Sequence, residues 1–259
     1  MYSLNNKNSN ASRDPDRSLT FPSAAPFQRA EVEDYERRRY RGIDQKIVHW
    51  REARILGKVL KVIQREDGAS GRGTLSKSRL FVLDLPSGYG RFSSVFQKEG
   101  MRLVSSDLSF DMVKRTREKT EDVPESFGVV ADAKQGLPFK NGIFERIFSI
   151  RFFHHLHEVW EREAVIKEFC RISSGWVVLS FYRMNALHFL QRKFRRLIKK
   201  SKTQIKMISL RQFHGEAENA GFRVRKTFPL IRGIHAYQVV LLKKDEILRP
   251  TNSEQALLC

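Results

Sequence analysis

The sequence predicts a doubly wound α/β fold, a mostly parallel seven-stranded sheet that ends in an antiparallel hairpin. Three observations predict it. Short apolar runs of β type alternate with helical runs from residue 80 onward, the first run leads into a glycine-containing turn, and the last two runs are separated only by a short loop. Alternation of strand and helix implies right-handed βαβ crossovers, and these make a parallel sheet covered on both faces. Two successive strands with a short loop between them read as a hairpin.

The chain is best followed in order. Residues 1–30 hold Asn, Ser, Pro and Arg with few apolar side chains, and Pro15, Pro22 and Pro26 interrupt any helix, so a disordered leader is expected. Residues 31–66 contain no proline, and Ile47, Trp50, Ile55, Leu56, Val59, Leu60 and Ile63 recur at near-helical spacing. That pattern predicts one or two amphipathic helices packed on the core as an N-terminal lid. Residues 67–78, opening with Asp67-Gly-Ala-Ser-Gly-Arg-Gly-Thr74, read as a linker.

Residues 79–244 then form the α/β domain. Its strands are predicted at Leu80–Leu85, Arg102–Ser106, Gly128–Ala131, Arg146–Ile150, Trp176–Phe181, Phe222–Phe228 and Ala236–Lys243. Helices run through Val95, from Ser109, through Phe169 and over Leu210–Ala220, the last ending at Gly221 as a left-handed terminal residue would require. Gly233 lies in the short loop of the hairpin, and residues 245–259 read as a loose tail.

An insertion after the fifth strand breaks the alternation. From Arg183 to Lys206 there are nine Lys or Arg and no acid, while Leu187, Leu190, Phe194, Leu197 and Ile198 share one helical face. A basic amphipathic helix of this kind suits an anionic membrane surface, a phosphate-bearing substrate, RNA, or a plain cap over the domain.

Composition narrows the class. The chain has 259 residues, 41 % hydrophobic and 11 % aromatic, which is ordinary for a globular protein. Its formal net charge of +19 biases it toward anionic partners without choosing among them. Cys170 and Cys259 are the only cysteines, too few for a disulfide framework or a zinc site. The N-terminus has no basic-then-apolar secretory pattern, and no stretch approaches the roughly 20 apolar residues of a membrane span. A cytoplasmic protein follows as the expectation, with peripheral contact at the inner membrane surface if the basic helix serves a bilayer.

The segment Phe81-Val-Leu-Asp84-Leu-Pro-Ser-Gly88-Tyr-Gly90-Arg-Phe92 is an apolar strand entering a helix through a glycine turn. Glycine lets a ligand approach the backbone at the carboxyl edge of the sheet. A dinucleotide fingerprint fits poorly, because its third glycine would fall on Ser93 and the acid Asp84 precedes the turn. The segment resembles motif I of the class I S-adenosylmethionine-dependent methyltransferases, of the type 11-like group, with the form D-x-x-x-G-x-G met by Asp84, Gly88 and Gly90. Pro86 replaces the glycine most common at its position in that family. The cofactor carries an ammonium and no phosphate, so a carboxylate is better placed there than a bare helix N-terminus.

What the resemblance implies can be assigned by position. Asp84, Pro86, Ser87, Gly88 and Gly90 would form the turn around S-adenosyl-L-methionine. Asp107, 23 positions after Asp84, would accept the ribose hydroxyls beside Leu108, since a carboxylate offers acceptors to two hydroxyls at once. Asp132 and Ala133 would meet the adenine, although an aspartate at a strand end is also a common turn former. Arg151, at the end of the fourth strand, begins the segment that closes over the methionine moiety. The following His154 and His155 are the candidate general bases, because an acceptor hydroxyl must lose a proton and histidine titrates near neutrality. Tyr35 and Tyr40 are lid candidates, since related enzymes use an aromatic from this region. Glu158 and Glu161 read as the start of a helix. The resemblance covers residues 79–243 and implies a Rossmann-like fold with no metal.

The function expected is methyl transfer to a small-molecule or lipid- or glycan-like acceptor, with an anionic acceptor favoured by the charge. An RNA methyltransferase is the rival within enzymes. Against it stand Arg151-Phe-Phe-His in place of the Asn/Asp-Pro-Pro run of aminopurine methylases, and the lack of a catalytic cysteine pair. A non-catalytic module that keeps the fold is the rival outside enzymes.

Overall fold

The computed structural model describes residues 43–69, 80–123, 125–184, 207–231 and 236–245. The leader, Tyr35 and Tyr40, most of the expected linker, the insertion beyond Met184, the hairpin loop with Gly233 and the tail beyond Asp245 lie outside the described residues.

The elements follow the predicted order. Helix α1 (Ile43–Ala69) precedes β1 (Phe81–Asp84), α2 (Ser93–Lys98), β2 (Arg102–Asp107), α3 (Phe110–Glu118), β3 (Ser126–Val130) and β4 (Phe144–Ser149). A 3-10 turn over Phe153–His155 leads to α4 (Val159–Ile172), β5 (Ser173–Arg183), β6 (Met207–Ile208), α5 (Leu210–Asn219), β7 (Phe222–Pro229) and β8 (Tyr237–Lys244). The sheet order is β3-β2-β1-β4-β5-β8-β7. Strands β1 to β5 are parallel, and β8 runs antiparallel to both β5 and β7. The eighth strand, absent from the sequence expectation, is β6. It pairs with Tyr182 and Arg183, beyond the point where β4 ends opposite Leu179, so the free edge of β5 finds a partner.

Both faces of the sheet are buried, as a parallel sheet requires. On one face Leu83, Ile147, Val177 and Val240 pack against Val165, Ile166 and Phe169 of α4 and Phe213 of α5. On the other, Val82, Phe148, Val178 and Leu241 pack against Leu56, Val59, Leu60 and Ile63 of α1 and Phe96 of α2. Helix α1 is therefore part of the main core. Ile47 and Trp50 do not share that burial. They are 49 % and 55 % exposed, because the face that meets the sheet is the one carrying Glu52, Leu56 and Ile63.

Helix α1 also runs through Asp67–Ala69, residues expected in the linker. Asp67 anchors this last turn: it accepts from Trp176 Nε1 at 2.8 Å and pairs with Arg146 at 3.5 Å. One residue earlier, Glu66 pairs with Arg225 at 2.9 Å, where the β7–β8 register shifts between Val224 and Lys226. No helix among the described residues is long and apolar enough to cross a membrane.

Strand order reverses between β1 and β4, which lie side by side while their crossovers leave in opposite directions. Open α/β sheets bind ligands in the crevice this creates at the carboxyl ends of the strands. Asp84, Asp107 and Ser149 all end strands at that edge.

Candidate functional site

The turn after β1 is held by its own backbone. Ser87 N–H donates to Ser106 O at 2.8 Å, Gly90 N–H to Ser87 O at 3.1 Å, and Thr116 Oγ1 to Gly88 O at 2.8 Å. Gly88 and Gly90 have φ of +54° and +74°, values that carry little cost only without a side chain. A Cβ on Gly90 would also stand 3.0 Å from Ser93 Oγ and 3.1 Å from Thr116 Cγ2. Pro86 follows a cis peptide bond from Leu85, and Ser87 is buried.

Asp84 closes β1 with its carboxylate buried, and Oδ2 has no hydrogen-bond partner among the described residues. Burial, reinforced by the neighbouring Asp107 carboxylate, holds the Asp84 carboxyl well above the usual carboxylate range. An orphaned buried acceptor of this kind calls for a donor from outside the protein, and a cation is the donor that would lower its cost most.

Asp107 ends β2 beside it, two residues past Ser105, the register partner of Asp84. Its Oδ2 accepts from Gly88 N–H at 2.9 Å and its Oδ1 from Ser109 N–H at 3.0 Å. Burial raises its carboxyl, while the amides of Ser109, Gly88 and Leu108 pull it back down. Each oxygen keeps a further lone pair, so the half-buried carboxylate can still accept from a vicinal pair of hydroxyls. Ser109 caps α3 through Met112 N–H, and Leu108 is half-buried beside it.

Asp132 lies in the loop after β3, near Asp107 because Ala131 N–H donates to Asp107 O at 3.1 Å. Its own carboxylate serves the loop: Oδ1 accepts from Lys134 N–H and Oδ2 from Gln135 Nε2, both at 2.9 Å. This is the turn-forming arrangement. Ala133 is buried at its side.

Arg151 sits just past β4 in the left-handed region, with φ of +63°. For a non-glycine residue this is a strained position, sustained only where surrounding contacts over-determine it. Here its N–H donates to Ser180 Oγ at 2.7 Å and its Nε to Glu52 Oε1 at 2.7 Å, while the guanidinium lies 5.6 Å from the Tyr237 ring centroid. Glu52, on α1 and 1 % exposed, also pairs with Arg91 at 2.6 Å. Arg91 Nε donates in turn to His49 Nδ1 at 3.0 Å. Burial and the adjacent Arg91 hold His49 below its ordinary pKa, which keeps that nitrogen an acceptor.

His154 and His155 lie in the 3-10 turn with ring centroids 4.0 Å apart. The half-buried His154 meets the Tyr182 ring edge-on at 5.3 Å, and Tyr182 meets buried Tyr237 at 5.4 Å. His155 is exposed. The loop that follows is held by Arg162 of α4, which is completely buried. Its Nη1 donates to the carbonyls of Leu156, His157 and Glu158, while Nε and Nη2 form a two-point pair with Glu216 of α5 at 3.0 and 2.7 Å. Glu158 and Glu161 form a capping box at the start of α4.

Two clusters therefore share the sheet edge. Asp84, Gly88, Gly90 and Asp107 lie together around the β1 turn. Arg151, His154, Tyr182 and Tyr237 lie at the ends of β4, β5 and β8, and Glu52 ties Arg151 to Arg91 of the first cluster. Sequence reasoning missed Glu52, Arg91, His49 and Tyr237. A signal for Glu52 existed: it falls on the apolar stripe of α1, three and four residues before Ile55 and Leu56, where an unpaired acid is not tolerated.

The model of the methyltransferase domain family matches residues 83–179, from β1 to β5. No curated protein matches the chain. Among solved structures, magnesium protoporphyrin IX methyltransferase from Synechocystis PCC 6803 with bound SAH superposes with a TM-score of 0.67 at 18 % identity, covering 84 % of this chain and 96 % of that one. A SAM-dependent methyltransferase from Aquifex aeolicus gives 0.55 at 14 % identity over 84 % of this chain and 99 % of its own. The PH0226 protein from Pyrococcus horikoshii OT3 gives 0.54 at 21 % identity over 71 % and 90 %. At these identities the likeness establishes the fold.

Proposed function

We propose that this chain, whose residues 83–179 belong to the methyltransferase domain family and which has the class I methyltransferase fold, transfers the methyl group of S-adenosyl-L-methionine to a small-molecule or lipid-like acceptor. The observation that carries this reading is the buried Asp84 Oδ2, which has no donor among the described residues, one strand away from an Asp107 carboxylate with acceptor capacity to spare.

The residues fit the group. Asp84 would receive the ammonium, Asp107 beside Leu108 the ribose hydroxyls, and the turn of Pro86, Ser87, Gly88 and Gly90 would leave room for close approach. Asp132 and Ala133 lie where the adenine end would fall, and Arg151 bounds the opposite end. The cofactor supplies an electrophilic sulfonium methyl, so the protein has chiefly to align, to exclude water and to move a proton.

Those tasks fall to this chain's own groups. Helix α1, as a lid, covers one side of the cleft through Glu52 and keeps both guanidiniums in place. His154 takes the acceptor's proton, oriented by the Tyr182 ring and by the loop that Arg162 holds. Arg91 and Arg151 share one carboxylate, which leaves a surplus positive charge beside the cleft and favours an acceptor carrying a carboxylate or phosphate. Within this reading residues 79–244 are the cofactor domain and residues 31–66 the lid.

The test begins with calorimetry against S-adenosyl-L-methionine and its demethylated product. Protein and isotopically labelled donor are then incubated with lipid, metabolite and RNA fractions in parallel. Label entering the lipid or metabolite fraction is expected. Absence of affinity for either cofactor form would leave a fold without the function, and label entering RNA alone would move the acceptor to nucleic acid.

A further inference from the structure

We propose that the outer face of α1 docks the protein on an anionic phospholipid surface. The residues exposed along α1 from its first turn include Lys46, Arg54, Lys58, Lys61 and Arg65, with Ile47 and Trp50 among them. Steps of three and four residues place all of these on one side of the helix. Nineteen steps from Lys46 to Arg65, at about 1.5 Å each, make a row roughly 28 Å long.

Among the described residues no carboxylate pairs with this row. The described acids of α1 are engaged elsewhere: Glu52 with Arg91 and Arg151, Glu66 with Arg225, and Asp67 with Arg146 and Trp176. Among the described residues none of the five cations forms an ion pair, while Arg54 and Lys58, and Lys61 and Arg65, are like charges one turn apart that repel. On β7, Lys226 is exposed beside Arg225, which is joined to α1 through Glu66. A partner rich in negative charge removes the repulsion.

The apolar pair selects the partner. Trp50 and Ile47 are about half exposed at the same end of the row, with the Arg54 guanidinium 4.6 Å from the Trp50 ring centroid. An indole flanked by cations suits the headgroup level of a bilayer, and an aliphatic chain beside it gains from the acyl boundary. A nucleic-acid backbone offers nothing to Ile47, and one aromatic is no platform for successive bases. The opposite face of the same helix carries Glu52, so docking by the outer face leaves its contacts with Arg91 and Arg151 undisturbed.

The experiment uses the full chain and sedimentation with two kinds of vesicle, phosphatidylcholine alone and phosphatidylcholine in which one lipid in three is phosphatidylglycerol. Binding to the anionic vesicles only is expected. The variant K46Q/R54Q/K58Q/K61Q should lose about a hundredfold in partition, since each cation near such a surface contributes several-fold. Unchanged melting temperature controls for folding. In a Trp160→Phe background, with Trp176 buried, emission from Trp50 should shift to the blue on vesicle binding. A comparison variant, R192Q/K193Q/R195Q/R196Q in the basic insertion, should keep most of the affinity. The proposal is overturned if the α1 variant binds vesicles like the parent, if Trp50 emission does not move, if only the insertion variant loses binding, or if the parent binds polyuridylate and not vesicles.

Discussion

The carboxylate of Glu52 accepts from Arg151 Nε at 2.7 Å across 99 positions of sequence, and through its other oxygen it meets Arg91 at 2.6 Å. One buried acid thus joins α1, the turn after β1 and the strained residue after β4.

Glu52→Gln tests that junction. It leaves two largely buried guanidiniums without a counter-charge, an omission that costs about 3 kcal/mol. Thermal unfolding should fall by several degrees, and cofactor affinity should fall with it as Arg151 is released. An unchanged melting temperature would show that the junction does not form in solution.

Asp84→Asn should separate stability from binding. Asp84 is raised in the folded protein, so the folded chain holds a proton that the unfolded chain has lost, and stability falls as pH rises from the ordinary carboxylate value through the raised one. The neutral amide removes that cost, and the ligand-free variant should melt higher than the parent at neutral pH. Cofactor affinity should drop by about 1.5–3 kcal/mol, the scale of a hydrogen bond to a charged group. In the parent, affinity should rise with pH through the same window with release of up to one proton, and this dependence should vanish in the variant. Calorimetry in buffers of different ionisation enthalpy reads the proton directly.

Asp107→Ala removes the acceptor of the Gly88 and Ser109 amides together with the proposed ribose contact. Cofactor binding should weaken by about 1.5–3 kcal/mol. Unweakened binding by calorimetry would remove the ribose assignment.

Arg162→Met alone leaves Glu216 buried without its partner and should cost about 3–5 kcal/mol. Adding Glu216→Leu should recover most of this in chemical denaturation. Turnover should stay depressed in the double variant, because the carbonyls of Leu156, His157 and Glu158 still lack the donor that holds the histidine loop.

His154→Gln and His155→Gln should differ. Loss of the half-buried His154, packed on Tyr182, should lower kcat by about a hundredfold with cofactor affinity kept. Loss of the exposed His155 should change kcat little. Equal kcat for His154→Gln and the parent would exclude His154 as the base.

The two clusters were not equally legible. Asp84, Gly88, Gly90 and Asp107 stand out in sequence because a strand, a positive-φ turn and a helix cap are built from neighbours in the chain. Asp132 had two readings, and its two local hydrogen bonds display the turn-forming one. Of the second cluster only Arg151 and His154 stood out; Tyr182, Tyr237 and the bridging residues Glu52 and Arg91 were hidden. Tyr237 looks like one more strand residue, and Arg91 like one more cation in a chain of net charge +19. Ile47 and Trp50 keep the helical period yet face solvent, because periodicity defines a stripe without saying how wide the buried part is.

By itself the sequence determined what depends on adjacent residues: the alternation of strand and helix, the glycine turn with its preceding acid, the caps at Ser109 and Gly221, and the closing hairpin. Only the tertiary structure decided which acids found cations and which oxygen was left without a donor. Backbone period and turn chemistry act over a few residues, whereas the partner of a buried charge is chosen by packing among elements a hundred positions apart. That choice left Asp84 open and gave Glu52 two arginines.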